Sequence, residues 1–116
     1  MRHDHYILNG RELVPATLMG WATWFETANR HIGDTRVKGA RVSTVFLGID
    51  HAMGGPPQLF ETMIFRGHRD VFQDRYATWD QAHTIHKIIV RSLRMSKRQL
   101  KTQSRTRRVT RIWEHR

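Results

Sequence analysis

Arg41-Val42-Ser43-Thr44-Val45-Phe46-Leu47 and Leu59-Phe60-Glu61-Thr62-Met63-Ile64-Phe65 are the two stretches whose reading decides the fold. In the first, Val42, Thr44 and Phe46 fall on one side of an extended chain and Ser43, Val45 and Leu47 on the other, because successive strand side chains point to opposite faces. The second repeats the pattern, with Leu59, Glu61, Met63 and Phe65 alternating with Phe60, Thr62 and Ile64. β-Branched and aromatic residues dominate both, as suits a pleated, half-buried surface. Between them, Asp50-His51-Ala52-Met53-Gly54-Gly55-Pro56-Pro57 has the glycine and proline content of an irregular connection. Two strands joined in this way are predicted to pair antiparallel.

Toward the N-terminus, Tyr6-Ile7-Leu8 and Glu12-Leu13-Val14 flank Asn9-Gly10, a strong hairpin signal. Pro15 is expected to stop the second strand, and Thr17 to cap a helix reaching about His31, with Gly33 beyond its end. Leu18, Trp21, Phe25 and Ala28 recur at helical spacing with Trp24 beside them, while Thr23, Glu26, Thr27 and Arg30 look outward. That spacing predicts a core-facing helix. Toward the C-terminus, residues from Arg66 to Arg75 read as a polar loop, and Thr78-Trp79-Asp80-Gln81 as a capping box. Ala82, Ile85, Ile89 and Leu93, with Ile88 beside them, mark the buried stripe of a second helix to about Arg98. Gln99 to Thr106 is polar enough for a linker, after which Val109, Arg111 and Trp113 alternate as an edge strand would.

The expected architecture is therefore α+β: one domain over residues 1–98 and a basic extension over 99–116. A small antiparallel sheet, built from the N-terminal and central hairpins, is packed with two helices. Trp21, Trp24, Phe25, Phe46, Phe60, Phe65 and Trp79 are expected to lie mostly in the core. With 116 residues and no cysteine, the chain must draw its stability from packing, and disulfides, thiolate metal sites and thiol catalysis are excluded. Leu18 to Phe25 and Val42 to Ile49, the longest nearly apolar stretches, fall short of the ~20 residues a membrane helix needs. Met1-Arg2-His3-Asp4-His5 leads into no apolar signal region. The expectation is a cytoplasmic protein with no membrane partner.

Charge is distributed unevenly along the chain. Of 20 Lys and Arg, the segment from Lys87 to Arg116 holds eleven, against the single acid Glu114. The remaining nine basic residues face nine acidic ones, so the net charge of +10 belongs to the C-terminal segment. Arg91, Arg94, Lys97, Arg98, Lys101, Arg105, Arg107, Arg108, Arg111 and Arg116 form a polyanion-binding candidate, with Trp113 as a stacking surface. Nucleic acid, DNA or RNA, is the partner this density suits best, by phosphate contact and without sequence specificity. An acidic host protein is the alternative partner, and a solvated tail the bland reading.

Eight histidines supply a second set of candidates. His83 and His86, three residues apart on the second helix, can share a face, and Asp50, His51 or Glu61 would complete a metal site if loop and strand approached them, the set a small metal-assisted hydrolase would use. No metal-helix signature accompanies the pair, so a surface pair is the simpler reading. Asp50-His51 at a strand end has the placement of a functional loop and also of an ordinary turn. Ser43 and Thr44 lie within a strand with no glycine elbow, so no catalytic nucleophile is assigned. Gly54-Gly55 runs into prolines that lack amide donors, so no phosphate-binding loop and no cofactor are expected.

Taken in order, Tyr6-Ile7-Leu8-Asn9-Gly10, Trp21-Ala22-Thr23-Trp24-Phe25-Glu26-Thr27-Ala28, Val42-Ser43-Thr44-Val45-Phe46-Leu47-Gly48-Ile49-Asp50-His51, Leu59-Phe60-Glu61-Thr62-Met63 and Tyr76-Ala77-Thr78-Trp79, with His86 after them, cover most of residues 6–86. This ordered set resembles a small family of bacteriophage and prophage proteins. The resemblance implies a phage or mobile-element origin and an α+β body, and brings no activity with it. The basic extension lies outside the resembling part.

Overall fold

The structure, a computed structural model, describes residues 4–50 and 54–95. Within them the chain runs β1 (His5–Asn9), β2 (Glu12–Ala16), α1 (Leu18–Thr27), β3 (His31–Val37), β4 (Ala40–Phe46), β5 (Phe60–Arg66), β6 (Arg69–Tyr76) and α2 (Trp79–Arg94). β3 to β6 form a four-stranded antiparallel meander in chain order, and β1 and β2 form a separate two-stranded sheet. The fold is α+β.

The two decisive stretches pair as expected, with Val42 opposite Ile64, Thr44 opposite Thr62 and Phe46 opposite Phe60. These six side chains share one face of the sheet. α2 lies across that face, presenting Ala82, Ile85, His86, Ile89, Val90 and Ser92. Val42, Phe46, Leu59, Phe60 and Ile89 are fully buried between the layers. Burial of each contributes about 1.5–3 kcal/mol relative to exposure. Among the described residues the opposite face of the sheet carries no helix: α1 packs on β1 and β2 instead.

Four expectations need correction. The first helix ends at Thr27 rather than near His31, and Gly33 sits inside β3. The polar loop expected from Arg66 to Arg75 is mostly β6, an edge strand whose exposed positions tolerate Arg69, Asp70 and Gln73. Pro15 does not stop its strand: it lies within β2 opposite Tyr6, at an edge where a missing amide costs no ladder bond. The first hairpin turns at Gly10-Arg11, with Gly10 at φ +65°, one residue later than the Asn-Gly reading.

The caps are where they were expected. Thr17 accepts from the Gly20 amide at 3.0 Å and Thr78 from the Gln81 amide at 3.1 Å. Gln81 reaches back to the Ala77 amide at 3.2 Å, one residue before the position a capping box would use. α2 ends at Arg94 among the described residues; the proposed linker and the Val109–Trp113 strand lie outside them.

α1 departs furthest from its expected role. None of its residues is buried, and Leu18 and Met19 are 60% and 73% exposed. Trp24 meets Phe46 edge-on at 5.6 Å, and Trp21 lies against Phe25 and His5. Of the seven aromatic residues assigned mostly to the core, only Phe46 and Phe60 are fully buried.

Candidate functional site

The tips of two hairpins and the C-terminal end of α2 meet at one end of the molecule. β3 and β4 are joined by Lys38-Gly39, both at positive φ (47° and 80°), which gives the tight turn whose twist matches its strands. β5 and β6 are joined by Gly67-His68. The Lys38 ammonium donates to the Arg94 carbonyl at 2.7 Å, clamping the hairpin to the helix and offsetting the negative end of its dipole. Arg66 donates to the Lys38 carbonyl at 3.5 Å. This end gathers Arg36, Lys38, Arg41, Arg66, Arg69, Arg91 and Arg94, with Lys87 one turn earlier on α2.

Among the described residues two acids share this end, and one is already engaged. Arg41 grips Asp34 through two hydrogen bonds of 2.9 Å, and that guanidinium holds the Asp34 carboxyl below its usual range. Asp70 is the other. Most remaining acids lie elsewhere. Asp80 opens α2, and Glu61 and Asp74 sit toward the far ends of β5 and β6. Asp50 donates its amide to the Asp4 carbonyl beyond the end of β4. A body that is neutral by count is therefore polarised in space. Sequence position conceals this, because the cations come from three separated segments.

Two recesses open at the cationic end. One, of about 470 Å³ between the hairpin tips, is lined by Arg36, Arg41 and His68 around Phe65. The other, of about 600 Å³ between β3 and α2, is bounded by Lys87, Arg91 and Arg94, with Val90 and Met95 as apolar wall and Thr35 and His86 at its base.

His86 is not the surface group its spacing suggested; it is 6% exposed. Its Nδ1 lies 2.8 Å from the Thr44 hydroxyl and its Nε2 2.9 Å from the Thr35 hydroxyl, while Thr44 and Thr62 hydroxyls are 2.6 Å apart. A continuous chain of four polar groups thus runs from between the sheet and α2 to the groove. Burial, chiefly, holds the imidazole below its usual range, with the neighbouring charge of His83 adding to it and Asp34 opposing. The ring is neutral near pH 7. Gly33 allows it to sit there, since a Cβ at that position would lie 2.5 Å from Nε2.

The candidate metal ligands are not brought together. His83 stacks on Trp79 at 4.7 Å, three residues before the fully engaged His86. Glu61 faces away from α2, accepting from Gln73 at 2.6 Å and Arg75 at 3.0 Å. Asp50 stands beyond β4, and His51 lies outside the described residues. Among the described residues no three His, Cys, Asp or Glu side chains form a metal-holding group. No described helix is long and apolar enough to cross a membrane. Arg91 and Arg94 are exposed on α2; Lys97, Arg98, Lys101, Arg105, Arg107, Arg108, Arg111, Trp113 and Arg116 lie outside the described residues.

No protein-family model, curated protein or solved structure matches the chain.

The threonine–histidine chain had a signal in the sequence. His86 follows Ala82 by four residues and precedes Ile89 by three, inside the buried stripe of α2, and Thr44 interrupts the apolar face between Val42 and Phe46. A polar residue on each facing surface points to a buried partnership.

Proposed function

We propose that this is a phage-type accessory protein that binds nucleic acid without sequence specificity in the host cytoplasm. The binding surface is the cationic end of the body, continued by the basic segment. One observation carries this reading: Arg36, Lys38, Arg66, Arg69, Arg91 and Arg94 converge from two hairpin tips and a helix end. In sequence, Lys97 to Arg116 follow directly from that helix. Phosphates neutralised by such a surface release counterions, which gives affinity with a steep salt dependence. Half-buried Phe65, flanked by Arg36 and Arg41 in the recess between the tips, adds a face on which a base can stack.

Anisotropy titrations of labelled oligonucleotides at several salt concentrations test this reading. The full chain is expected to bind with log affinity falling linearly against log salt, and a chain ending at residue 98 to bind more weakly with a shallower slope. Salt-independent binding, or unchanged affinity after truncation, would remove the basic segment from the function.

The exposed Leu18 and Met19 on α1 favour a second reading, a modulator of a host or defence complex that docks protein through its otherwise neutral body. Retention of a host protein after nuclease treatment, lost in Leu18→Ser/Met19→Ser, would support it. Retention unaffected by those changes would exclude α1 as the docking surface.

A further inference from the structure

The groove between β3 and α2 differs from the rest of the cationic end in having a polar group at its base that is wired into the interior. Thr35 reaches the groove while its hydroxyl is tied to His86 Nε2 at 2.9 Å. A neutral imidazole donates from one nitrogen and accepts at the other, so the hydrogen-bond chain has only two directions. If Nδ1 carries the proton, it donates to Thr44, which donates onward to Thr62. Thr35 must then donate to Nε2, and only its lone pairs face the groove. If Nε2 carries the proton, it donates to Thr35, and Thr44 donates to Nδ1. The Thr35 hydrogen is then free to point into the groove. An unprotonated phosphate oxygen, which only accepts, is compatible with the second arrangement alone.

The groove wall suits an anion as well. Lys87 and Arg91 are four residues apart, on one face of α2 over adjacent turns, and both border the groove with Arg94. The negative end of the α2 dipole, which would repel an anion, is met by Lys38 on the Arg94 carbonyl. Val90 and Met95 line the remaining wall.

We propose that this groove is a phosphate-binding site in which the Thr35 hydroxyl donates to a phosphate oxygen, Lys87 and Arg91 balance its charge, and occupancy fixes His86 as the Nε2–H tautomer. The site deepens the polyanion reading and rests on it for its ligand. The phosphate comes either from a terminal monoester or from the diester backbone of a strand. His86 acts as a positioning residue, since Thr35 rather than the ring meets the ligand.

The test uses the ¹⁵N-labelled full chain, titrated separately with inorganic phosphate, thymidine 5′-monophosphate, thymidine, and an oligothymidylate with hydroxyl ends. Amide shifts of Thr35, Lys87 and Arg91 report binding, and the ¹⁵N shifts of the His86 ring report the tautomer. The expected result is saturable binding of phosphate and the monophosphate, or of the oligothymidylate, with His86 as Nε2–H in the saturated protein and no response to thymidine. The first case identifies a terminal phosphate as ligand and the second a backbone phosphate. Thr35→Val should weaken that binding about tenfold, the loss of one charge-assisted hydrogen bond, and Thr35→Ser should retain it. No saturable response to any phosphate-bearing probe, or His86 as Nδ1–H at saturation, overturns the proposal, and this wild-type readout stands even if Thr35→Val does not fold. Affinity for a long oligonucleotide measured alongside separates the two readings. If it persists without the groove response, the groove alone fails; if phosphate binds the groove while the long strand does not bind, the polyanion reading alone fails.

Discussion

The two helices invert the usual association of hydrophobicity with burial. α1, Leu18–Thr27, is the more apolar of the two in composition, yet none of its residues is fully buried. α2, Trp79–Arg94, carries more polar than apolar residues, yet places Ala82, Ile85, Ile89 and Val90 in the core and Lys87, Arg91 and Arg94 outside. Segregation of apolar side chains to one face, not their number, lets a helix cover a sheet and still offer a charged surface. α2 is therefore structural on one side and functional on the other. α1 contributes surface that is available for contact.

The largest effect separating the helices should be on stability. Ile89→Ala removes a fully buried side chain between α2 and the sheet, and should cost about 2–5 kcal/mol in denaturant unfolding. Leu18→Ala on α1 should stay within about 0.5 kcal/mol, because the side chain is largely solvated already. Equal costs at the two sites would contradict the division of roles.

Gly33→Ala probes the packing of α2 on β3. A Cβ there would meet His86 Nε2 at 2.5 Å, so ring or strand must shift, at an expected cost of about 1–3 kcal/mol for overpacking. The change should also disturb the ring signals of His86. An unshifted His86 in a fully stable Gly33→Ala protein would show that the strand yields without strain.

Protonation supplies a smaller, pH-dependent effect. His86 is held below its usual pKa by burial first and by His83 next, with Asp34 opposing; its hydrogen-bond partners Thr35 and Thr44 carry no charge, and Lys87, Arg91 and Arg94 border the same groove. The unfolded chain binds this proton more readily than the folded one. The stabilisation is complete above the unfolded histidine pKa of about 6.5 and declines as pH falls below it toward the folded value. Urea midpoints should fall over that window, and the fall should be smaller in His86→Gln. Identical pH profiles for the two proteins would assign the titration to another group.

The legible parts of the sequence were those where one local rule governed without competition. Strict alternation exposed β4 and β5, and Thr17 and Thr78 marked both helix starts. β3 and β6 were hidden because each breaks its own period. A register shift between His31 and Gly33 and another opposite Ile64 and Phe65 insert residues that spoil the two-residue repeat. β6, moreover, is a polar edge strand with little apolar pattern to find. The α1 stripe reads as core because its spacing is helical, although only packing decides which apolar helix is covered. In the candidate site, the cationic run of α2 was visible in one dimension. Its convergence with Arg36, Lys38, Arg66 and Arg69 depends on the turns at Lys38-Gly39 and Gly67-His68, and became visible only with the fold.

Two variants of equal charge test whether place, rather than net charge, governs polyanion binding. Arg36→Gln/Arg69→Gln removes two cations at the hairpin-tip end, and Arg11→Gln/Arg30→Gln removes two that lie over Trp79 and Phe25 elsewhere. Salt-dependent anisotropy titrations of both full-length variants against one oligonucleotide compare them. The tip variant should lose affinity, with a salt slope shallower by roughly 0.7–0.9 for each phosphate contact removed, while the other stays close to wild type. Equal losses in both, or no loss at the tips, would contradict a localised binding surface.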